Sequence, residues 1–303
     1  MSPEARVGKP VIQPMRPIRA VLITTYLILA SLPLAWMTIT SIKHYDDTIS
    51  RNARFVPAPS AHSSDQSIVF APTLQGYARL AEPRRSTGYS FFHYLINSIV
   101  IGVASTIAAV ALGTSCAYGF SRFRIPGSRD WLFFILSTRF MPPLAVVIPI
   151  FLMWRELELT NSHLGLIILY TAFNLSLAVW LMKGFIDEIP RAYEEAALVD
   201  GYSRLAGFGK IILPQAATGM AVTAVFCLIS AWNEYGFAVT LNQTSDAAKT
   251  VPVYFAGLQG QIEGVPWPQV AAGAIVFVAP IVVFTVLVRK HLLRGVTFGT
   301  IKQ

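Results

Sequence analysis

The sequence is poor in charged residues and nearly lacks cysteine. Only 13% of its 303 residues are Asp, Glu, Lys or Arg, whereas a soluble domain of this length carries about 25%. Apolar residues make up 54%, which excludes a disordered chain. Cys116 and Cys227 both lie in apolar stretches, so neither a disulfide framework nor a zinc site is indicated. These properties predict an all-α protein that crosses a membrane several times.

Six apolar segments are long enough to cross a bilayer. Each has roughly 19 to 27 residues, and a helix needs about 20 to span a hydrocarbon core of roughly 30 Å. The predicted spans are residues 18–42, 94–120, 131–154, 163–182, 216–241 and 270–288. The first is too long for the apolar part of a signal peptide, so it is interpreted as an uncleaved span.

Lysine and arginine are concentrated in alternate connections between the spans. One set of connections holds Arg6, Lys9, Arg16, Arg19, Arg122, Arg124, Arg129, Lys183, Arg191, Arg204, Lys210, Arg289, Lys290, Arg294 and Lys302. The two short connections of the other set hold only Arg155 and Lys249. Because basic residues accumulate on the cytoplasmic side, both termini are predicted to be cytoplasmic. The net charge of +8 therefore indicates membrane orientation and not nucleic-acid binding.

This arrangement predicts how the chain is divided. Residues 1–17 form a cytoplasmic segment, 18–42 the first transmembrane helix and 43–93 an extracytoplasmic loop. Residues 94–289 form a core with five further spans, and 290–303 a cytoplasmic tail. The loop at 43–93 is rich in proline and serine, which favours irregular structure. It is either a contact for an external partner or a solvated connection.

The connection at residues 187–214 contains two predicted short helices joined by a sharp turn. Glu194 and Glu195 lie near the first turn of a helix, where the helix dipole favours negative charge. Gly201 suits the left-handed conformation that ends a helix, and Ser203 suits the cap of the next one. Small residues such as Ala197 would let another surface approach the backbone. Alternatively, the segment is a hairpin that only links two spans.

The same segment resembles a known signature. Glu195-Ala196-Ala197, then Gly201, then Ile211 and Leu213-Pro214, match at the family spacing the "EAA" motif of permeases of ATP-binding-cassette (ABC) importers. Residues 94–98, 117–127 and 232–235 resemble the maltose-transporter branch of that family. The resemblance implies a type I ABC importer permease fold with six transmembrane helices, located in the bacterial inner membrane.

The resemblance also implies partners and roles. The EAA loop would dock on a cytoplasmic ABC ATPase dimer, and a second, homologous permease and an extracytoplasmic solute-binding protein would complete the importer. The solute would be a sugar, oligosaccharide or polyol. The residues implied in ATPase coupling are Glu194, Glu195, Ala196, Ala197, Asp200, Gly201, Ile211, Leu213 and Pro214.

No cofactor, metal or catalytic residue is expected in this chain. It lacks the G-x-x-x-x-G-K-[ST] pattern that binds ATP phosphates, so ATP and Mg²⁺ would be used by the ATPase partner. The chain is expected to contact membrane lipid and not to bind nucleic acid. The permease is therefore predicted to be a non-catalytic subunit.

Polar residues within spans are candidates for the solute path. The candidates are Arg139, Trp232, Asn233, Glu234 and Tyr235. At 1.5 Å per residue, Arg139 would lie roughly 12 Å and Glu234 roughly 27 Å from the inner end of their spans. An ion pair between them would need a broken helix, which Pro142 and Pro143 permit. For Trp232 and Tyr235 the favoured interpretation is instead an aromatic belt at the membrane interface.

Two other classes of function are less consistent with the sequence. A stand-alone secondary transporter or channel would need no ATPase, but inverted repeats are not evident and the EAA motif would have no role. An intramembrane enzyme is disfavoured because His93, His163 and His291 lack metal-ligand spacing.

Overall fold

The structure is a computed structural model that describes residues 17–58, 68–259 and 264–297. Most of the predicted N-terminal segment, part of the extracytoplasmic loop and the end of the tail lie outside these residues. The helices are α1 Pro17–Ser41, α2 Tyr45–Ile49, α3 Gln75–Ala81, α4 Phe91–Arg122, α5 Ser128–Ser137, α6 Pro143–Glu156, α7 His163–Asp187, α8 Ala192–Val199, α9 Arg204–Gly207, α10 Leu213–Trp232, α11 Gly236–Leu241, α12 Val251–Gln259 and α13 Trp267–Thr297. Two short strands, β1 Val56–Pro57 and β2 Val69–Phe70, pair in parallel.

Within these ranges, five helical segments are long and apolar enough to cross a membrane. They are Pro17–Ser41, Phe91–Arg122, His163–Asp187, Arg204–Trp232 and Trp267–Arg289. A sixth span results if Ser128–Phe140 and Ala145–Glu156, which are bent by 94°, are counted together. The break falls at Pro142 and Pro143, because proline cannot donate the hydrogen bond that a continuous helix needs. The six predicted positions are thus all helical, and the third consists of two helices that meet at this bend.

The prediction for the fifth span was wrong at both ends. The helix begins at Arg204 and ends at Trp232, not at 216 and 241. It starts early because a π-helical segment, Phe208–Ile212, joins α9 to α10 without interruption. It ends early because the carboxylate of Glu234 accepts hydrogen bonds from the N–H groups of Phe237 (2.8 Å) and Ala238 (3.1 Å) and so starts the separate helix α11.

The segments that the sequence places outside the cell contain more regular structure than expected. Helices α2 and α3 and both strands lie in the loop predicted to be irregular, and α12 follows α11. Helix α3 packs closely on the ends of α1 and α13: a Cβ added at Gly76 would lie 2.7 Å from the carbonyl oxygen of Pro268. Leu80 and Tyr254 are buried in a cluster with Phe91 and Trp232, so these short elements cover the bundle.

Helices α4 and α7 form the centre of the bundle. A Cβ added at Gly113 would lie 2.5 Å from the Cβ of Ala178, so the two backbones touch at this point. Nearer the 187–214 end, Met182 and Ile186 of α7 pack with Ile212 in a second buried cluster. By contrast, no part of the most apolar stretch of α1 is buried in this chain. The α1 surface is therefore available to lipid or to another chain.

Candidate functional site

The turn in the 187–214 loop, here called the coupling loop, has the geometry that its sequence predicts. The N–H of Tyr202 donates to the carbonyl of Ala197 (2.9 Å), and the N–H of Gly201 donates to that of Leu198 (3.1 Å). Gly201 has φ +85°, a left-handed conformation that is unfavourable for residues with a Cβ. This is a Schellman ending of α8. Ser203 then caps α9, its Oγ accepting from the N–H of Ala206 (3.2 Å).

The EAA residues divide into an exposed surface and a buried support. Glu195, Ala196 and Asp200 are exposed. Ala197 is buried, and its Cβ would lie 3.9 Å from a Cβ added at Gly207, so these small residues bring α8 and α9 together. The remaining predicted positions follow on the arm that leads to the membrane: Ile211 and Leu213 are half-buried, and Pro214 is exposed.

Arg122, at the end of α4, fastens the coupling loop to the bundle. Its Nε lies 2.9 Å from Oε1 of Glu194, and the guanidinium side chain is only 5% exposed. The same guanidinium donates to the carbonyls of Ile186 (3.1 Å) and Ile189 (2.7 Å). Glu194 is therefore an internal anchor for α8, whereas Glu195 faces outward.

A second candidate site is a cavity of about 220 Å³ inside the bundle. Arg139 enters it from the 3₁₀ turn between α5 and α6. Its guanidinium donates to the carbonyl of Phe173 (3.1 Å), to Oδ1 of Asn174 (3.5 Å) and to Oγ of Ser230 (3.2 Å). Arg139 thus links the third, fourth and fifth spans.

Glu234 lines the same cavity from the break between α10 and α11. Its carboxylate accepts a hydrogen bond from the hydroxyl of Tyr170 (2.7 Å). The predicted separation in depth between Arg139 and Glu234 was wrong, because the third span is bent and the fifth ends at Trp232. Among the ion pairs formed by the residues described, none joins the two charges. Each is held by neutral partners on the cavity wall.

The three other predicted path residues do not share this cavity. Trp232 is 4% exposed and stacks on Phe277 with ring centroids 4.9 Å apart, so the belt interpretation was wrong for it. Asn233 is exposed, and its amide donates to the carbonyl of Ile229 (2.8 Å). Tyr235 is 44% exposed and lines a different cavity, of about 380 Å³, between α4, α11 and α12.

Residues 109–297 match the family described as "Binding-protein-dependent transport system inner membrane component". The chain belongs to this family. It is a non-catalytic permease component located in the inner membrane, and hydrolysis of ATP is done by a separate ATPase. The predicted family, membrane location and non-enzymatic class are thereby confirmed.

Two relatives match the permease over most of its length. It is 34% identical over 285 residues to the trehalose transport system permease protein SugB of Mycobacterium tuberculosis, covering 93% of this chain and 96% of that protein. It is 30% identical over 276 residues to the trehalose/maltose transport system permease protein MalG of Thermococcus litoralis, covering 91% and 92%.

The predicted fold of the permease is confirmed by a solved structure. A bacterial ABC transporter involved in the import of the acidic polysaccharide alginate contains a chain that superposes with a TM-score of 0.69 at 23% identity, covering 90% of the permease and 94% of that chain. At this identity the likeness shows the fold alone.

Several residues at these sites were missed by sequence reasoning. Arg122 was assigned only to the cytoplasmic charge pattern, because nothing in the sequence indicates that it is buried or that Glu194 is its partner. Tyr170 and Asn174 are polar residues inside an apolar span, and that signal alone could have found them. Across the part of the permease that the structure describes, no three His, Cys, Asp or Glu side chains gather to hold a metal ion.

Proposed function

We propose that this chain pairs with a second, homologous permease to form the translocation path of an ABC importer for a sugar, oligosaccharide or polyol. The named transport systems of the two relatives, for trehalose and for trehalose and maltose, support the solute class. The family description supports an extracytoplasmic solute-binding protein as a further partner. The observation that carries the proposal is the exposed face of the coupling loop around the left-handed Gly201.

The coupling loop docks on a cytoplasmic ATPase dimer, which uses ATP and Mg²⁺. Glu195, Ala196, Asp200 and Gly201 meet the ATPase because they are exposed. The small size of Ala196 and Gly201 lets the partner approach the backbone, and Glu195 offers a carboxylate to a basic or amide group. Ala197 and Glu194 support this surface from behind. Ile211, Leu213 and Pro214 connect the docking surface to the fifth span.

Both termini are cytoplasmic in this proposal. The coupling loop then lies on the side where the basic connections accumulate, and α2, α3 and α12 lie on the opposite side. This orientation presents the coupling loop to the ATPase and the extracytoplasmic elements to the solute-binding protein.

The test of coupling uses the complete importer in proteoliposomes. We compare Glu195→Lys and Gly201→Asp with wild type and with Glu188→Lys, an exposed glutamate outside the signature. The readout is ATP hydrolysis stimulated by the binding protein loaded from a mixture of disaccharides that includes trehalose. Loss of a central interface contact costs about 2 kcal/mol, so ATPase docking weakens roughly thirtyfold in both variants, while Glu188→Lys behaves as wild type. Unchanged stimulated ATP hydrolysis in both variants would show that the loop is only a connector.

The cavity that contains Arg139 and Glu234 is proposed as this chain's part of the solute path. It offers a guanidinium, a carboxylate and the Tyr170 hydroxyl within one wall, and such groups hydrogen-bond sugar hydroxyls. In the same vesicles, Arg139→Gln raises the solute concentration needed for half-maximal uptake, and basal ATP hydrolysis stays at the wild-type rate. If the solute concentration for half-maximal uptake is unchanged, this cavity is not part of the solute path.

A further inference from the structure

A third cavity, of about 360 Å³, lies at the end of the bundle opposite the coupling loop. We call it the α1–α13 cavity, because it sits where α1 ends at Ser41 and α13 begins at Trp267. Its polar wall comes from the segment that follows α1, and its aromatic wall comes from Trp36 and Trp267. None of its residues belongs to the coupling loop or to the Arg139 cavity.

The charges of this cavity are unbalanced. Arg54 forms an ion pair with Asp47, and both side chains are buried. Lys43 is only 2% exposed, yet its ammonium lies over two aromatic rings, 4.4 Å from the centroid of Trp36 and 5.3 Å from that of Phe70. Arg51 adds a further cation to the rim. Within the described ranges, no ion pair or hydrogen bond supplies an acceptor to the Lys43 ammonium or to the Arg51 guanidinium.

Burial of the Lys43 ammonium is costly without an anion. Loss of hydration lowers the pKa of Lys43, an effect that Asp47 opposes and Arg54 reinforces. Contact with aromatic faces offsets part of this cost, but an ammonium in a dry site is best stabilised by a negative partner that also accepts its hydrogen bonds. The cavity has room for such a partner next to Lys43 and Arg51.

The position of the cavity indicates which anion this is. Trp36 and Trp267 are 46% and 50% exposed at the ends of two apolar helices. Tryptophan in this position marks the level of the lipid headgroups. Directly below, α1 exposes Leu29 and Leu32 along a face that no part of this chain covers. A molecule with a negative group at headgroup height and an apolar chain beneath it fits both features.

We propose that the α1–α13 cavity binds the phosphate of a phospholipid in the leaflet opposite the coupling loop. Lys43 and Arg51 supply the positive charge. Trp36 and Trp267 flank the headgroup, and the exposed face of α1 receives an acyl chain. Bound lipid would neutralise the buried ammonium and fix the outer end of α1 against α13.

Native mass spectrometry of the complete importer tests this proposal. The probes are dioleoyl phosphatidylglycerol, dioleoylglycerol without a phosphate, and inorganic phosphate. The variants are Lys43→Gln and Arg51→Gln, with Arg85→Gln as a matched control, since Arg85 is an exposed cation of the same loop outside this cavity. One basic residue near an anionic headgroup contributes about fivefold in affinity. The tightest-bound phosphatidylglycerol is therefore expected to weaken about fivefold in each variant and to stay unchanged in the control.

Four results would overturn the proposal. Equal phosphatidylglycerol affinity in wild type and both variants would mean that the cavity does not hold lipid. Retention of dioleoylglycerol equal to that of phosphatidylglycerol would show that the phosphate is not recognised. Binding of inorganic phosphate as tight as that of the lipid would point to a soluble anion. Unchanged lipid binding with loss of importer assembly would assign the cavity to a protein partner. If Lys43→Gln does not fold, Arg51→Gln decides alone, because Arg51 is exposed at the rim.

Discussion

At the scale of single residues, Arg122 connects three helices at the end of the bundle that carries the coupling loop. It belongs to α4, bonds the carbonyls at the end of α7, and pairs with Glu194 of α8. Two neighbouring contacts reinforce it: Ser121 donates to Asp187 (2.6 Å), and Arg191 donates to the Ser121 carbonyl (2.8 Å). The orientation of the exposed face of the coupling loop therefore depends on a residue outside the EAA motif.

Replacement of Arg122 by Gln is expected to destabilise the chain by about 1 to 3 kcal/mol, because it leaves the half-buried carboxylate of Glu194 without its cation. Thermal unfolding of the purified protein in detergent measures the effect. The double variant Arg122→Gln/Glu194→Gln should recover part of the loss, since no unpaired charge remains. Arg124→Gln is the control, because Arg124 is exposed two positions further along. Equal melting temperatures for Arg122→Gln and Arg124→Gln would contradict the anchoring role.

At the scale of secondary-structure elements, the packing of α4 on α7 is set by small residues on both helices. Gly113 and Ala178 are the point of closest approach, and Ala109 and Ala117 continue the same buried face of α4. Because the backbones touch, this contact leaves no room for an added methyl group. The centre of the bundle is therefore sensitive to side-chain volume.

Gly113→Ala is expected to destabilise the bundle by about 1 to 3 kcal/mol, since the new Cβ overlaps Ala178. Gly119→Ala on the same helix is the matched control. No atom lies within 4 Å of a Cβ added there, and alanine favours the helix by about 0.5 to 1 kcal/mol over glycine. Thermal denaturation in detergent, without chemical denaturant, would measure the difference in stability between the two variants. A Gly113→Ala protein as stable as Gly119→Ala would mean that the helices are not in contact.

The sequence predicted those elements that depend on local signals. Apolar length located the spans, and the glycine and serine of the coupling loop located its turn and cap, because both depend on backbone conformation within a few residues. The end of the fifth span was missed since Glu234 acts as a cap, a role that glutamate rarely signals. The common cavity of Arg139 and Glu234 was missed because it depends on a bend in one helix and the termination of another. Such long-range placement is not encoded in local pattern.

At the scale of the whole molecule, the distribution of charge and the exposed surfaces indicate how the permease sits in the membrane. The coupling loop and the basic connections share one end of the bundle. The α1–α13 cavity, with Lys43 buried in it, occupies the other. Between the two ends, α1 is almost wholly exposed, so the isolated chain leaves a large apolar surface for lipid or for the second permease.

Single-cysteine labelling in spheroplasts tests this orientation. Cys116 and Cys227 are first replaced by alanine, and Arg85→Cys or Arg124→Cys is introduced at an exposed position. An impermeant maleimide is expected to label Arg85→Cys at once and Arg124→Cys only after lysis. The reverse order would place the coupling loop outside the cell and invert the proposed topology.

The continuity of α9, the π-helical segment and α10 has a mechanical consequence. Residues Arg204–Trp232 form one arm of 29 residues, about 43 Å long at 1.5 Å per residue. One end of this helix belongs to the coupling loop, and Glu234 follows its other end. A tilt of about 10° about the end at the coupling loop would displace the far end by about 7 Å. A small rotation at the coupling loop would thereby become a larger displacement at the cavity that Ser230, Glu234 and Arg139 line.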